Sequence, residues 1–241
     1  VLKGEQMEPT NQHGFTLTLT SVTGLAFLLP LLAHAHLPPG PSVFNRVLDI
    51  MIILLSLGNE AEIEFLNSHG FGIISIFLND EKELTYETYN KFVELIPRIE
   101  NDKLQKQLSQ YILFNQELWF KCSNADHRKI IKSWKELNTN KRNKCAKITL
   151  SQCIQCLRSH YFYDTAEKEL ITHADVERDE DFDIQGIRCD IVSITAKIAS
   201  YKMNDVNLTQ MLTQLLTVSN PKAAEDFALI LKRIIKSITT D

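Results

Sequence analysis

Two cysteines and a histidine near position 156 are the residues whose spacing most resembles a chemical site. Cys153, Cys156 and His160 stand at i, i+3 and i+7. This spacing puts them on one helical face, and sulfur and imidazole nitrogen are ligands that zinc prefers. No fourth ligand can be placed, and a lone CxxC inside a helix lacks the second knuckle of a zinc ribbon and the βαβ setting of a thioredoxin-like site. We therefore predict packed core cysteines and no metal.

Alternating acids near position 179 resemble the start of a calcium-binding loop. The alternating residues are Asp175, Glu177, Asp179, Asp181 and Asp183. A calcium loop needs Gly at its sixth position and a bidentate Glu at its twelfth, where this chain has Glu180 and Gly186. The pattern therefore favours a solvated acidic linker.

No motif of a known enzyme class stands in the sequence. We find no GxSxG, no Gly-rich phosphate loop, no HExxH and no cysteine in a protease context. Scattered histidines and aspartates could still assemble in space, but the overall pattern is that of a helical core. The prediction is a protein that is not an enzyme, with no catalytic residues and no cofactor.

The stretch 126–147 is the strongest local concentration of charge. It carries eight basic residues against Asp126 and Glu136, a local net of +6 in a chain whose total is −4. The eight are Arg128, Lys129, Lys132, Lys135, Lys141, Arg142, Lys144 and Lys147. They form either a solvated helix face and connector, whose field salt screens over about 8 Å, or a landing site for anionic lipid. A third possibility is pairing with the acidic segment 164–183, whose net charge is −7.

Composition places the chain among ordinary folded proteins. It has 241 residues, of which 44% are hydrophobic and 23% charged, with only eight Gly and seven Pro. These values suit a sizeable core of helices joined by short turns. The net charge of −4 argues against a nucleic-acid-binding module. Five cysteines, an odd count in a chain too large to need disulfides, favour a reducing compartment.

Apolar spacing predicts a helical solenoid of about ten or eleven helices, armadillo- or HEAT-like. The helix Leu104–Phe120 is central, because it is apolar on two sides and must be sandwiched between neighbours. The others are predicted at Gly24–Ala35, Val43–Leu57, Asn59–Asn67, Phe71–Asn79, Thr85–Ile99, Asp126–Leu137, Lys147–Tyr163, Ile184–Tyr201, Asn207–Val218 and Pro221–Ile238. All of 1–241 is expected to be one solenoid segment, with a ragged polar end at 1–14 and an acidic loop at 164–183, cut from a larger protein.

Two local features refine this prediction. The run Gly24–Ala35 is very hydrophobic, but it is about a dozen residues long and contains Pro30, whereas a membrane span needs about 20 residues. A buried, proline-bent core helix is the better interpretation. Between the helices that flank His69 and Gly70, Gly70 suits a left-handed helix cap.

Short motifs in a fixed order carry a family resemblance. Lys106-Gln107-Leu108, then Ile112-Leu113-Phe114-Asn115, then Trp119 resemble the KQL…ILFN…W signature in the armadillo-like region of BEACH-domain proteins, the neurobeachin group. The runs GLAFLLPLL at 24–32, HGF at 69–71, CLR at 156–158 with YFY at 161–163, and IR at 187–188 match other motifs of that region in the same order. The charged connectors 138–147 and 164–183 depart from the animal members.

The resemblance implies a role that the residues alone do not. It implies a noncatalytic, protein-binding scaffold segment of a large cytoplasmic protein of vesicle trafficking and membrane dynamics, peripheral to endomembranes. Its partners would be other domains of the parent chain or trafficking proteins. The alternative is a peripheral module that binds acidic membranes through the basic stretch 126–147.

Overall fold

The chain folds as a succession of helices. A computed structural model describes residues 28–30, 41–56, 59–80, 84–139, 147–159, 162–164, 169–171, 183–201, 213 and 221–239. The α-helices in these ranges are α1 Pro41–Leu55, α2 Asn59–Asn67, α3 Gly70–Asp80, α4 Tyr86–Leu95, α5 Asp102–Leu108, α6 Gln116–Trp119, α7 Asn124–Thr139, α8 Leu150–Ser159, α9 Ile184–Tyr201 and α10 Pro221–Thr239. The predicted all-α solenoid is confirmed, with one small exception described below.

Contacts divide the chain into two compact units. Unit 1 contains residues 1–83 and 87–113, and unit 2 contains residues 84–86 and 114–241. The single segment over 1–241 stays a prediction. Its polar end 1–14 and, apart from position 213, its predicted helix 207–218 lie outside the described residues.

In unit 1, α2 packs against α3 and α5. A buried carboxylate joins this packing to the start of α5: Glu62, only 2% exposed, accepts hydrogen bonds from the backbone N–H groups of Glu100 and Asn101 at 2.9 and 2.7 Å. Asn101 in turn caps α5, since its side-chain oxygen accepts from Lys103 N at 2.9 Å. The buried charge is therefore matched by backbone donors.

The link between α2 and α3 differs from the prediction. His69, at φ 53°, takes the left-handed conformation, and Gly70 is the first residue of α3. Gly70 is needed for space instead: a Cβ built there would lie within 2.5 Å of Phe65 Cε1. The Phe65 ring packs edge-on against Phe71 with centroids 5.0 Å apart. Sequence shows that a glycine is present, but only packing shows which of its properties is used.

The central stretch is buried on two sides, as predicted, but it is not one helix. Leu104, Leu108 and Trp119 are all fully buried. Between α5 and α6 the backbone forms a π-helical segment, Ser109–Leu113, and then becomes extended at Asn115 (φ −84°, ψ 102°). Apolar spacing cannot distinguish one two-sided helix from two pieces that each bury their own face.

Unit 2 is assembled around α9, which packs against α7, α8 and α10. Arg188 of α9 is 7% exposed; its guanidinium donates to Leu157 O at 3.1 Å and forms an ion pair with Asp226 of α10. A single buried side chain thereby connects three helices.

The predicted helix Lys147–Tyr163 and the predicted loop 164–183 are each wrong in part, because a short β-hairpin occupies the end of the first and the start of the second. Helix α8 ends at Ser159, and strand β1, Phe162–Asp164, pairs antiparallel with β2, Glu169–Ile171, with Tyr163 opposite Leu170. Aromatic and β-branched residues prefer strands, so the aromatic run after α8 has a local reason to leave the helix.

The apolar run near the amino terminus is described only at residues 28–30, which are helical. Leu28 and Leu29 are buried, in agreement with a core helix. Within the ranges that the structure describes, no helix combines the length and the apolar character needed to cross a membrane.

Candidate functional site

Five of the eight predicted basic residues lie in the described chain, and all five are exposed. They are Arg128, Lys129, Lys132 and Lys135 on α7, and Lys147 shortly before α8. The other three, Lys141, Arg142 and Lys144, lie outside the described residues. The basic surface below means these five side chains.

Helix α7 carries four of the five residues of the basic surface, and its opposite face packs in the core. Ile130, Ile131 and Trp134 are buried, and the Trp134 ring packs edge-on against Phe114 with centroids 5.8 Å apart. His127 is also buried, with Nδ1 2.9 Å from a backbone carbonyl. A helix with one apolar face must turn its charged residues to solvent.

Three members of the basic surface already have acidic partners. Arg128 pairs with Asp183, Lys135 Nζ lies 3.5 Å from Asp190 Oδ1, and Lys129 pairs with Asp126 at 3.0 Å. These are half-exposed pairs, and such pairs contribute about 0–1 kcal/mol each. They reduce the local positive field more than they stabilise the fold.

The remaining two members keep their charge available. Among the described residues, Lys132 and Lys147 make no ion pair. The Arg128–Asp183 pair joins the basic stretch to the last residue of the acidic segment 164–183, whose residues 172–182 lie outside the described ranges.

A groove runs beside the basic surface, between α7 and α9. One part, of about 650 Å³, is lined by Arg128, Lys132 and the start of α9. A second part, of about 750 Å³, lies between the end of α7, residues 147–150 and the middle of α9. Lys135 and Thr139 line both parts, so the two adjoin along α7.

Sequence reasoning missed the contribution of α9 to this groove. Asp190 and Lys197 lie 50 or more positions after Lys135 along the chain, yet both line the groove. Asp190, Ser193 and Lys197 are polar residues at i, i+3 and i+7, and this spacing was a usable sequence signal of an exposed helix face. The missing fact was which helix faces α7.

The two cysteines of the CxxC pair are core residues. Cys153 and Cys156 are fully buried, and burial raises the pKa of Cys153 to about 12, partly offset by a hydrogen bond from the Thr195 side chain. Burial, with a smaller contribution from Cys153, also raises the pKa of Cys156. Both thiols are therefore protonated at neutral pH, which makes them poor nucleophiles. His160 lies outside the described residues.

The acidic ladder is described only at Asp183. Its Oδ1 accepts a hydrogen bond from Gly186 N at 2.8 Å, which makes Asp183 the amino-terminal cap of α9. The described residues contain no group of three or more His, Cys, Asp or Glu that could hold a metal ion.

Within each unit, helices pack on one another around buried apolar side chains, which places the described chain in the all-α class. The chain belongs to the neurobeachin family: the model of the "Neurobeachin/BDCP, DUF4704 alpha solenoid region" matches residues 4–239. The resemblance drawn from the sequence motifs is thereby confirmed.

Two curated relatives share this similarity. Putative neurobeachin homologs of Caenorhabditis briggsae and Caenorhabditis elegans are each 28% identical to the chain over 130 residues. The matched region covers 49% of this chain and 5% of each relative. No solved structure matches the chain significantly.

Proposed function

We propose that this chain is a noncatalytic, protein-binding scaffold segment of a BEACH-family, neurobeachin-like protein that acts in vesicle trafficking and membrane dynamics. The observation that carries the proposal is the match of the alpha-solenoid model to residues 4–239, nearly the whole chain. Stacked helix pairs offer long surfaces that hold peptides or other domains. The fully buried, protonated thiols of Cys153 and Cys156 support a structural role for the interior rather than a reactive one.

The proposed setting is the cytoplasm, at the periphery of endomembranes. The partners would be trafficking proteins or other domains of the parent chain. This setting rests on family membership, and it is compatible with the buried cysteines Cys153 and Cys156, which form no disulfide bond.

Capture from cytosol tests the scaffold function. The purified chain is immobilised and bound proteins are identified by mass spectrometry, with the heat-unfolded chain as the reference. We expect trafficking proteins to be enriched by the folded chain at physiological salt. If folded and unfolded chains retain the same proteins, the scaffold proposal is wrong.

The second candidate function is peripheral binding to acidic membranes. Exposed Lys132 and Lys147, which make no ion pair among the described residues, favour it. Reversal of Lys141, Arg142 and Lys144 to Glu should then reduce sedimentation with phosphatidylserine or phosphoinositide vesicles. The matched control is reversal of Lys103, Lys106 and Lys232, three exposed lysines of α5 and α10. Equal sedimentation of wild type and triple variant at low salt would contradict lipid binding.

A further inference from the structure

The larger part of the groove, of about 750 Å³, has the features of a recognition site. Its floor is apolar: Ile148, Leu150 and Ile194 line it and are at most 3% exposed, while Ile198 is partly exposed. A volume of about 750 Å³ and a largely apolar lining with a few polar groups are typical of a pocket that accepts one large side chain or a small ligand.

The rim of this pocket is positive. Lys135, Lys147 and Lys197 line it and are all exposed, and none of the described residues of its lining is acidic. Lys135 pairs with Asp190 at 3.5 Å, whereas Lys147 and Lys197 make no ion pair among the described residues. An occupant with negative charge around an apolar centre is therefore complementary to the pocket.

The continuation of the groove favours an extended occupant over a compact one. The pocket adjoins the smaller part of the groove at Lys135 and Thr139. Along α7 the two parts extend from Thr139 back to Arg128, a distance of about 16 Å at 1.5 Å per residue. The smaller part adds Arg128 and Lys132 to the positive lining, and it also contains the acidic residues Glu136 and Asp190. An extended peptide of five or so residues spans this length.

We propose that the groove between α7 and α9 binds an acidic peptide segment of a partner protein, with one large apolar side chain seated on Ile148, Ile194 and Ile198 and carboxylates against Lys147 and Lys197. The proposal rests on the scaffold function above and gives it a site and a partner chemistry. The apolar anchor supplies affinity, and the lysines select acidic sequences and make binding salt-dependent.

Selection from a phage-displayed library of random twelve-residue peptides tests the proposal without a known partner. We expect enriched peptides to carry Leu, Phe or Trp flanked by Asp or Glu. Fluorescence anisotropy with an enriched peptide should show at least a tenfold higher Kd for the Lys147→Glu/Lys197→Glu variant. Exchange of the peptide's apolar anchor for Ser should weaken binding by a similar factor. Reversal of Lys103 and Lys106, which changes net charge equally, should leave Kd within about twofold of wild type.

Three results would overturn the acidic-peptide site. They are the absence of any enriched peptide, enrichment of peptides without acids, and a Kd that the Lys147→Glu/Lys197→Glu variant does not change. Cytosol capture with the Lys147→Glu/Lys197→Glu variant distinguishes failure of the peptide site from failure of the scaffold function. If the variant captures as much protein as wild type, the peptide site is wrong and the scaffold function is retained. Phosphatidylserine vesicles that sediment with wild type but not with the variant, in the absence of peptide binding, would assign the groove to lipid instead. An Ile198→Ala variant, whose folding is checked by its melting temperature, tests the contribution of the apolar floor to the peptide's Kd separately from that of the charges.

Discussion

Alanine substitution at two glycines of α3 should have opposite effects on stability. Gly70 and Gly72 lie two positions apart, and alanine is a better helix former than glycine by about 0.5–1 kcal/mol at either. At Gly72 the nearest neighbour of a new Cβ is His69 Cβ at 4.0 Å, an ordinary contact. Gly72→Ala should therefore stabilise the protein by about 0.5–1 kcal/mol.

At Gly70 the same methyl group has no room. It would lie within 2.5 Å of Phe65 Cε1, and the Phe65 ring, 0% exposed, is held against Phe71. Overpacking of this kind costs about 1–3 kcal/mol, which outweighs the helix-propensity gain. Gly70→Ala should therefore destabilise by about 1–2 kcal/mol, leaving a difference of about 1.5–3 kcal/mol between the two variants.

Thermal unfolding followed by circular dichroism measures this difference, and a double mutant identifies its cause. Phe65→Ala alone should cost about 3–5 kcal/mol. In that background the ring is gone, so Gly70→Ala should become neutral or stabilising. The packing argument is refuted if Gly70→Ala is as stabilising as Gly72→Ala in the wild-type chain, or if removal of the Phe65 ring leaves its effect unchanged.

Other buried side chains give three further predictions. Trp119→Ala should cost about 3–5 kcal/mol because the side chain is 0% exposed, and a shift in melting temperature below one degree would contradict this. Arg188→Met or Asp226→Leu alone should cost about 3–5 kcal/mol because each removes one partner of a buried ion pair, whereas the double variant should recover most of the loss in denaturant unfolding. Burial raises the pKa of the Cys153 thiol from 9.0 to about 12. The contribution of the protonated thiol to the free energy of unfolding is therefore fully present below pH 9 and is lost as the pH rises towards 12. The stability of Cys153→Ala should therefore fall less steeply over that range, by about 1.4 kcal/mol per pH unit at most, and equal slopes would refute the assignment.

Helical periodicity determined most of the architecture because each helix records its buried face in its own sequence. The predicted bounds of Asn59–Asn67 and Ile184–Tyr201 agree with α2 and α9, and the buried stripe of α7 was predicted from the spacing of Ile130 and Trp134. Burial of apolar area is a local, additive preference, so it can be read residue by residue. Family membership followed from the order of such packing motifs.

Tertiary structure alone decided how those faces meet. The break at Asn115 and the choice of His69 rather than Gly70 for the left-handed position each depend on packing neighbours or on small differences in backbone energy. The groove depends most strongly on such neighbours, because Lys197 joins Lys135 only when α9 is placed beside α7. The sequence determined which side chains were charged and exposed, and the packing of helices determined which of them share a site, since proximity between distant segments is a property of the fold and not of any one segment.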